Sequence, residues 1–241
     1  MNYILDYIRR HILLYIFFIT VYKKFINIFF IIERNKYIFI KNSKINNILD
    51  IGSNNYQTTK IFLKIKKNVK IICYDSFKIQ NQIKNVIFNN HLLSNKNGMI
   101  KFFIPYYNNF ELSSLASVSR KFQNDYFHRN RINTKKIYFK EKYVICKKLD
   151  NKNLNFQFIK IDAEGSELQI IRGGYRNLKK NNPIILLEKN KDFFKIKKIL
   201  KKLKYKQYNY YNYNKKIFEN LKNNKKFDNI YFLNNNSFKY L

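Results

Sequence analysis

Three aspartates, Asp50, Asp75 and Asp162, stand at or next to the ends of short apolar runs, ILDI, VKIICYD and FIKID. Runs of this kind read as buried strands, and open α/β sheets collect ligands in the crevice beyond the carboxyl ends of their strands. The stretch that organises the chain is Phe156 to Gly174, FQFIKIDAEGSELQIIRGG. It starts apolar, turns acidic at Asp162 and Glu164, and passes through Gly165 into a helical pattern, so it reads as strand, turn, helix. Two chemistries suit the acidic pair. They can cap the following helix, where an acid near the N-terminus gains roughly 0.3 to 1 kcal/mol, or they can face a ligand at the strand end.

The first run supports the second reading. ILDI followed by Gly52 places backbone amides where a polar or charged part of a ligand can come close, and Asp50 can accept hydrogen bonds from an ammonium group. Asp75 ends the next strand, where a carboxylate can hold both hydroxyls of a ribose. Together the two positions point to a ligand that contains a nucleoside.

These residues need elements to hold them. Ile48 to Ile51 reads as a strand, Gly52 to Gln57 as a polar turn, Thr58 to Ile65 as a helix, Val69 to Tyr74 as a second strand and Phe77 to Lys84 as a second helix. That alternation predicts a parallel sheet with helices on both faces. Val86 to Phe88 is the third strand. NKNG at Asn95 to Gly98 is a turn, followed by a strand from Met99 to Ile104, which suggests a hairpin insertion. Residues 106 to 135 have no clear period and read as a long loop, a candidate lid carrying Ser113, Ser114, Ser117 and Ser119. Tyr138 to Leu149 is a strand. After the central stretch come a strand at Ile184 to Leu187, a Lys-rich amphipathic helix at Phe193 to Leu203, strand plus loop around Tyr208, and a closing strand at Ile230 to Leu233. Glu167 is expected to face solvent or pair with Lys, and Glu188 to support the end of the sheet.

Residues 3 to 32 are strongly apolar but interrupted by Lys23 and Lys24. Each run is shorter than the 18 or so residues of a spanning helix, and no small-residue cleavage site follows. The segment, within an N-terminal helical extension over residues 1 to 44, either packs on the domain or lies on a membrane surface, where Arg9, Arg10 and the lysines favour anionic lipid. The domain itself is placed at residues 45 to 241.

The formal charge of +33 would ordinarily suggest a nucleic-acid partner. Only eight of the 48 basic residues are Arg, however, and Asn, Ile, Tyr and Phe are abundant while Gly, Ala and Pro are scarce. An AT-rich coding sequence accounts for that bias, and Arg, the better residue for bidentate phosphate and base contacts, is the minority. Cys73 and Cys146 fall in apolar runs and read as buried thiols, consistent with a cytoplasmic protein. The three histidines have no zinc-ligand spacing.

Taken in order, ILDIGSNNYQTT, CYDS, NVIFNNHLLSNKNGMIKFF, SSL, KKLD, FIKIDAEGSELQIIRGG and PIILLE resemble the blocks of FkbM-family methyltransferases, which are class I S-adenosylmethionine-dependent enzymes. The likeness covers Ile45 to Glu188 and continues faintly to NIYFL near the C-terminus. It implies a Rossmann-like α/β fold with a seven-stranded, mostly parallel sheet whose last strand is antiparallel. It also implies methyl transfer to oxygen, usually on a sugar or glycosylated small molecule. Asp50, Gly52 and Asn54 match the family's cofactor loop, Asp75 the acid on the ribose, and Asn90 a position near the adenine. Asp162 and Glu164 match the acidic pair nearest the methyl-transfer site, where either is a candidate base or orienter of the acceptor hydroxyl. The expected partners are S-adenosylmethionine and a small-molecule or glycan acceptor, with no resident metal and no specific nucleic acid. Two positions depart from the family pattern: Tyr56 stands where Gly is usual, and Ser76 where Pro is common. A Tyr ring in the cofactor loop could obstruct the pocket, which keeps a catalytically impaired binding or membrane-associated module as an alternative. A nucleic-acid-binding protein is the other.

Overall fold

A computed structural model describes residues 33–77, 82–107, 109–220 and 228–241. The apolar run before residue 33 lies outside them, as does the middle of the helix expected at Phe77 to Lys84. Among the described residues, no helix is long and apolar enough to cross a membrane.

Strands β1 (Asn47–Ile51), β2 (Lys70–Asp75) and β3 (Val86–Asn90) follow one another, with helix α1 (Gln57–Ile65) between the first two. An insertion comes next, carrying β4 (Leu92–Leu93), β5 (Gly98–Tyr107), β6 (Phe110–Glu111), helix α2 (Arg120–Arg129) and β7 (Ile137–Lys147). The chain then returns through β8 (Phe158–Ile161), α3 (Glu167–Gly173), α4 (Tyr175–Asn181), β9 (Ile184–Glu188) and α5 (Phe193–Lys202). It ends with β10 (Lys206–Tyr208), the small hairpin of β11 (Tyr210–Asn212) and β12 (Ile217–Glu219), and β13 (Asn229–Leu233).

Seven of these strands form one sheet in the order β10-β13-β9-β8-β1-β2-β3. The pairings along β9-β8-β1-β2-β3 are all parallel, while β13 runs antiparallel to both of its neighbours. The central strands β8 and β9 are buried along nearly their whole length because helices cover both faces, and their near-continuous apolar sequence reflects that. On one face α3, α4 and α5 bury Ile171, Leu178, Ile196 and Leu200 against the sheet. On the other, α1 buries Ile61, Phe62 and Ile65 beside Tyr37, Phe39 and Ile40. Helix α5 shows the logic locally: its buried Phe193, Ile196 and Leu200 recur at three and four residues, and its lysines point outward.

The insertion forms a second sheet in the order β4-β7-β5-β6. Here the structure corrects three expectations. The NKNG turn does not join paired neighbours, since β5 pairs antiparallel with β7, some thirty residues on, rather than with β4. The stretch read as a long loop contains β6, a short 3-10 turn at Ser113–Leu115, and α2, whose N-cap Ser119 accepts a hydrogen bond from the Phe122 N–H at 3.1 Å. That helix, RKFQNDYFHR, escapes a periodicity reading because only Phe122, Gln123 and Phe127 are buried, and packing on the second sheet stabilises it. Finally, the domain begins before residue 45. Phe39 is 4% exposed and makes edge contacts with Phe158, Phe218 and Tyr231 at ring separations of 5.2 to 6.0 Å.

Losing a buried aromatic side chain costs about 3 to 5 kcal/mol, against a total stability of about 5 to 15 kcal/mol. A chain that starts at Asn35 should therefore unfold cooperatively in urea, and one that starts at Ile45 should not. Equal stability of the two would show that Tyr37, Phe39 and Ile40 contribute nothing to the core.

Candidate active site

The strand order reverses between β1 and β8, so the chain leaves their carboxyl ends in opposite directions and opens a crevice. Gly52 ends β1 with φ +74°, and a Cβ there would lie 1.7 Å from the backbone oxygen of Asp162. Only glycine lets the first loop rest directly on the end of β8. The loop is also stitched to β2. Asn54, at φ +42°, donates its backbone N–H to Asp75 Oδ2 at 2.9 Å, and the Phe77 N–H donates to Asp75 Oδ1 at 3.0 Å. Each Asp75 oxygen keeps a further lone pair. The crevice is a cleft of about 240 Å³. Gly52, Asn54 and Asp75 line it together with Lys160, Asp162 and Glu164, and the insertion adds Phe102, Ser113 and Ser114.

Lys160 is the residue that sequence reasoning missed. It sits in the middle of β8, directly across from Asp50 in the strand register. Its ammonium lies 3.1 Å from Asp162 Oδ2, 3.7 Å from Asp50 Oδ1 and 3.5 Å from the Gly52 carbonyl, with the side chain only 7% exposed. Burial disfavours that charge, but Asp162 and then Asp50 outweigh it and hold the lysine protonated. In turn, burial works to raise the Asp162 pKa, and the Lys160 charge overcomes it, so this carboxyl titrates below its usual range.

The turn after β8 is held by a different acid. Glu167 accepts the N–H groups of Ala163 at 2.9 Å and Gly165 at 3.2 Å, and the side-chain amide of Asn190 also donates to it. Glu167 is therefore buried within the structure rather than solvent-facing or Lys-paired, because the turn's orphan amides have no other acceptor. It also takes the capping work from Asp162 and Glu164, which leaves both free to face the cleft. Glu164 adopts φ +48° and Gly165 φ +92°. From the insertion, Ser117 Oγ donates to the Glu164 carbonyl at 2.6 Å, and the Phe122 ring lies where a Gly165 Cβ would come within 2.9 Å.

A family model for the FkbM methyltransferase domain matches residues 50–210. The chain belongs to the FkbM methyltransferase family. No curated protein matches it. Among solved structures, it is similar to the methyltransferase FkbM of Methylobacillus flagellatus KT, at 10% identity and a TM-score of 0.48, with 79% of this chain and 44% of that one covered. The chain thus spans less than half the length of that relative. Two further similar structures are a precorrin-6y C5,15-methyltransferase from Geobacter metallireducens GS-15 and a putative ribosomal RNA methyltransferase from Plasmodium falciparum. The first has 11% identity and a TM-score of 0.36, covering 84% of this chain and 85% of that one. The second has 16% identity and a TM-score of 0.36, covering 83% and 89%.

Within this FkbM-family fold, five of the seven residues singled out from the sequence, Gly52, Asn54, Asp75, Asp162 and Glu164, line one cleft. Asp50 does not. Strand alternation turns it to the α1 side, fully buried, where Thr59 Oγ1 donates to it at 2.7 Å and the ammonium it meets is that of Lys160. Asn90 is exposed at the end of β3, outside the cleft lining, its side-chain amide reaching the Asp75 carbonyl at 3.4 Å. Tyr56 takes the left-handed backbone geometry (φ +58°) that a glycine would supply. Its ring turns away from the cleft into the core, 4% exposed and edge-on to Phe88 at 5.8 Å, so it does not obstruct the pocket.

Glu188, expected only to support the sheet, joins the acidic pair. Asp162, Glu164 and Glu188 each offer a carboxylate oxygen, all within 4.8 Å of one another, a spacing that a hard divalent cation can bridge. Burial and then the Asp162 charge raise the Glu164 pKa, and the same two causes push Glu188 up to about 8. A carboxyl whose folded pKa exceeds its unfolded value of about 4.3 stabilises the fold fully only below that value, and the contribution is lost as pH rises through the folded pKa. Wild-type protein should thus lose stability to urea between about pH 5 and about pH 8, and Glu188→Gln should lose markedly less. The same loss in both would show that Glu188 does not carry a proton in the folded state.

Proposed function

We propose that this FkbM-family chain is an S-adenosylmethionine-dependent O-methyltransferase whose acceptor is a sugar or glycan hydroxyl. The observation that carries the reading is Asp75: it ends β2 with each oxygen anchored by one backbone N–H and a lone pair left on each, suited to the two hydroxyls of a ribose. The Gly52 loop beside it packs on the backbone of Asp162, which lines the same cleft with Glu164. When bound, S-adenosylmethionine supplies an electrophilic methyl group on a sulfonium sulfur. What the protein adds is position, because an in-line displacement depends on holding the acceptor oxygen in line with that methyl.

Division of labour follows from the two environments at the β8 end. Asp162, held ionised by Lys160, is a poor base and serves as a hydrogen-bond acceptor that orients the acceptor hydroxyl. Glu164 is assigned to take the hydroxyl proton in its ionised form, and burial and the Asp162 charge, which raise its pKa, make that carboxylate the stronger base of the two. Ser113 and Ser114 in the cleft lining offer hydroxyls to a polyhydroxylated acceptor.

Calorimetric titration with S-adenosylhomocysteine tests the cofactor assignment. Wild-type protein should bind, and Asp75→Ala should lose at least about tenfold in affinity, or about 1.4 kcal/mol. Unchanged affinity in the variant would remove the ribose role. With labelled S-adenosylmethionine and a panel of glycans, Glu164→Gln should lower methyl transfer without weakening S-adenosylhomocysteine binding.

A further inference from the structure

Two hydroxyls of the cleft wall, those of Ser53 and Ser76, are buried without a hydrogen-bond partner among the described residues. Ser76 is 8% exposed, lines the cleft beside Asp75, and its Oγ has no hydrogen-bond partner among the described residues. A buried hydroxyl without a partner costs free energy comparable to a lost hydrogen bond, so a folded protein keeps one where something else satisfies it. Ser53, the other such hydroxyl on this wall, lies against the Cys73 thiol, which makes Ser76 the clearer case. Beside it, Asp75 holds the N–H groups of Asn54 and Phe77 and keeps a lone pair on each oxygen, so the two residues offer a hydroxyl and a carboxylate to the same ligand.

We propose that Ser76 is a ligand-binding residue whose hydroxyl hydrogen-bonds the nucleoside portion of the molecule that Asp75 holds. The inference rests on the S-adenosylmethionine reading above and adds to it a side-chain contact beside Asp75. It separates two costs that usually coincide. In the free protein the unsatisfied hydroxyl is a burden, whereas in the complex it contributes a hydrogen bond.

Ser76→Ala tests this on the full chain by two readouts, thermal unfolding of the free protein and calorimetric titration with S-adenosylhomocysteine. The free variant should melt at or above the wild-type temperature, because the alanine removes a buried polar group and leaves little cavity. Its affinity should fall about five- to tenfold, the size of one net hydrogen bond. Ser76→Thr, which keeps a hydroxyl, should retain more affinity than Ser76→Ala. A variant that melts lower and binds as wild type would assign the hydroxyl to the fold alone and overturn the proposal. Wild-type binding with equal affinity in Ser76→Ala would overturn it while leaving the cofactor reading intact. Absence of wild-type binding would remove both.

Discussion

The ammonium of Lys160 lies between two strands that must stay in register and beneath a loop that must stay closed. Asp50 on β1 and Asp162 at the end of β8 both face it, and the Gly52 carbonyl completes its surroundings. A single buried charge so placed would be costly. With two carboxylates around it, the group becomes a clamp at the switch point of the sheet, and removing the lysine would leave both carboxylates without their cation. The close contact of Gly52 with Asp162 depends on the same clamp, since both require the β1 and β8 ends to meet at backbone distance.

The second sheet completes the site from outside. It reaches across the cleft to bind the strained Glu164 turn through the Ser117 hydroxyl and to cover Gly165 with the Phe122 ring, while Glu167 holds the same turn from below. Left-handed backbone at a non-glycine residue costs of order 1 to 3 kcal/mol and persists only where surrounding contacts over-determine it. Here the strain at Glu164 is fixed from two sides. The insertion is thus joined to the cleft twice, through this turn and through Ser113 and Ser114 in its lining.

Much of this was legible from residues alone. Apolar runs closed by Asp75 and by Asp162 gave the strand ends, and a scarce glycine after ILDI marked the close approach of the loop. Lys160 was not legible, because in a chain with 40 lysines a single Lys within an apolar run carries no signal until the register sets it opposite Asp50. Asp50 reads as a ligand contact from sequence because its distance from the strand end does not reveal which face it takes. From sequence Glu167 reads as solvent-facing or paired with Lys, because helix periodicity describes the helix but not the unpaired amides of the turn before it. Helix α2 was hidden for a similar reason: its few buried positions acquire meaning only against the second sheet. In each case the missing information was a tertiary partner.

The dependence of the whole site on the Lys160 clamp is open to direct measurement by urea unfolding of Lys160→Met beside wild type. Stranding Asp50 and Asp162 without their cation should lower the unfolding free energy by about 3 to 5 kcal/mol at neutral pH. A loss below about 1 kcal/mol, the scale of an exposed ion pair, would contradict the account and show that the β1 and β8 ends are held together by packing alone.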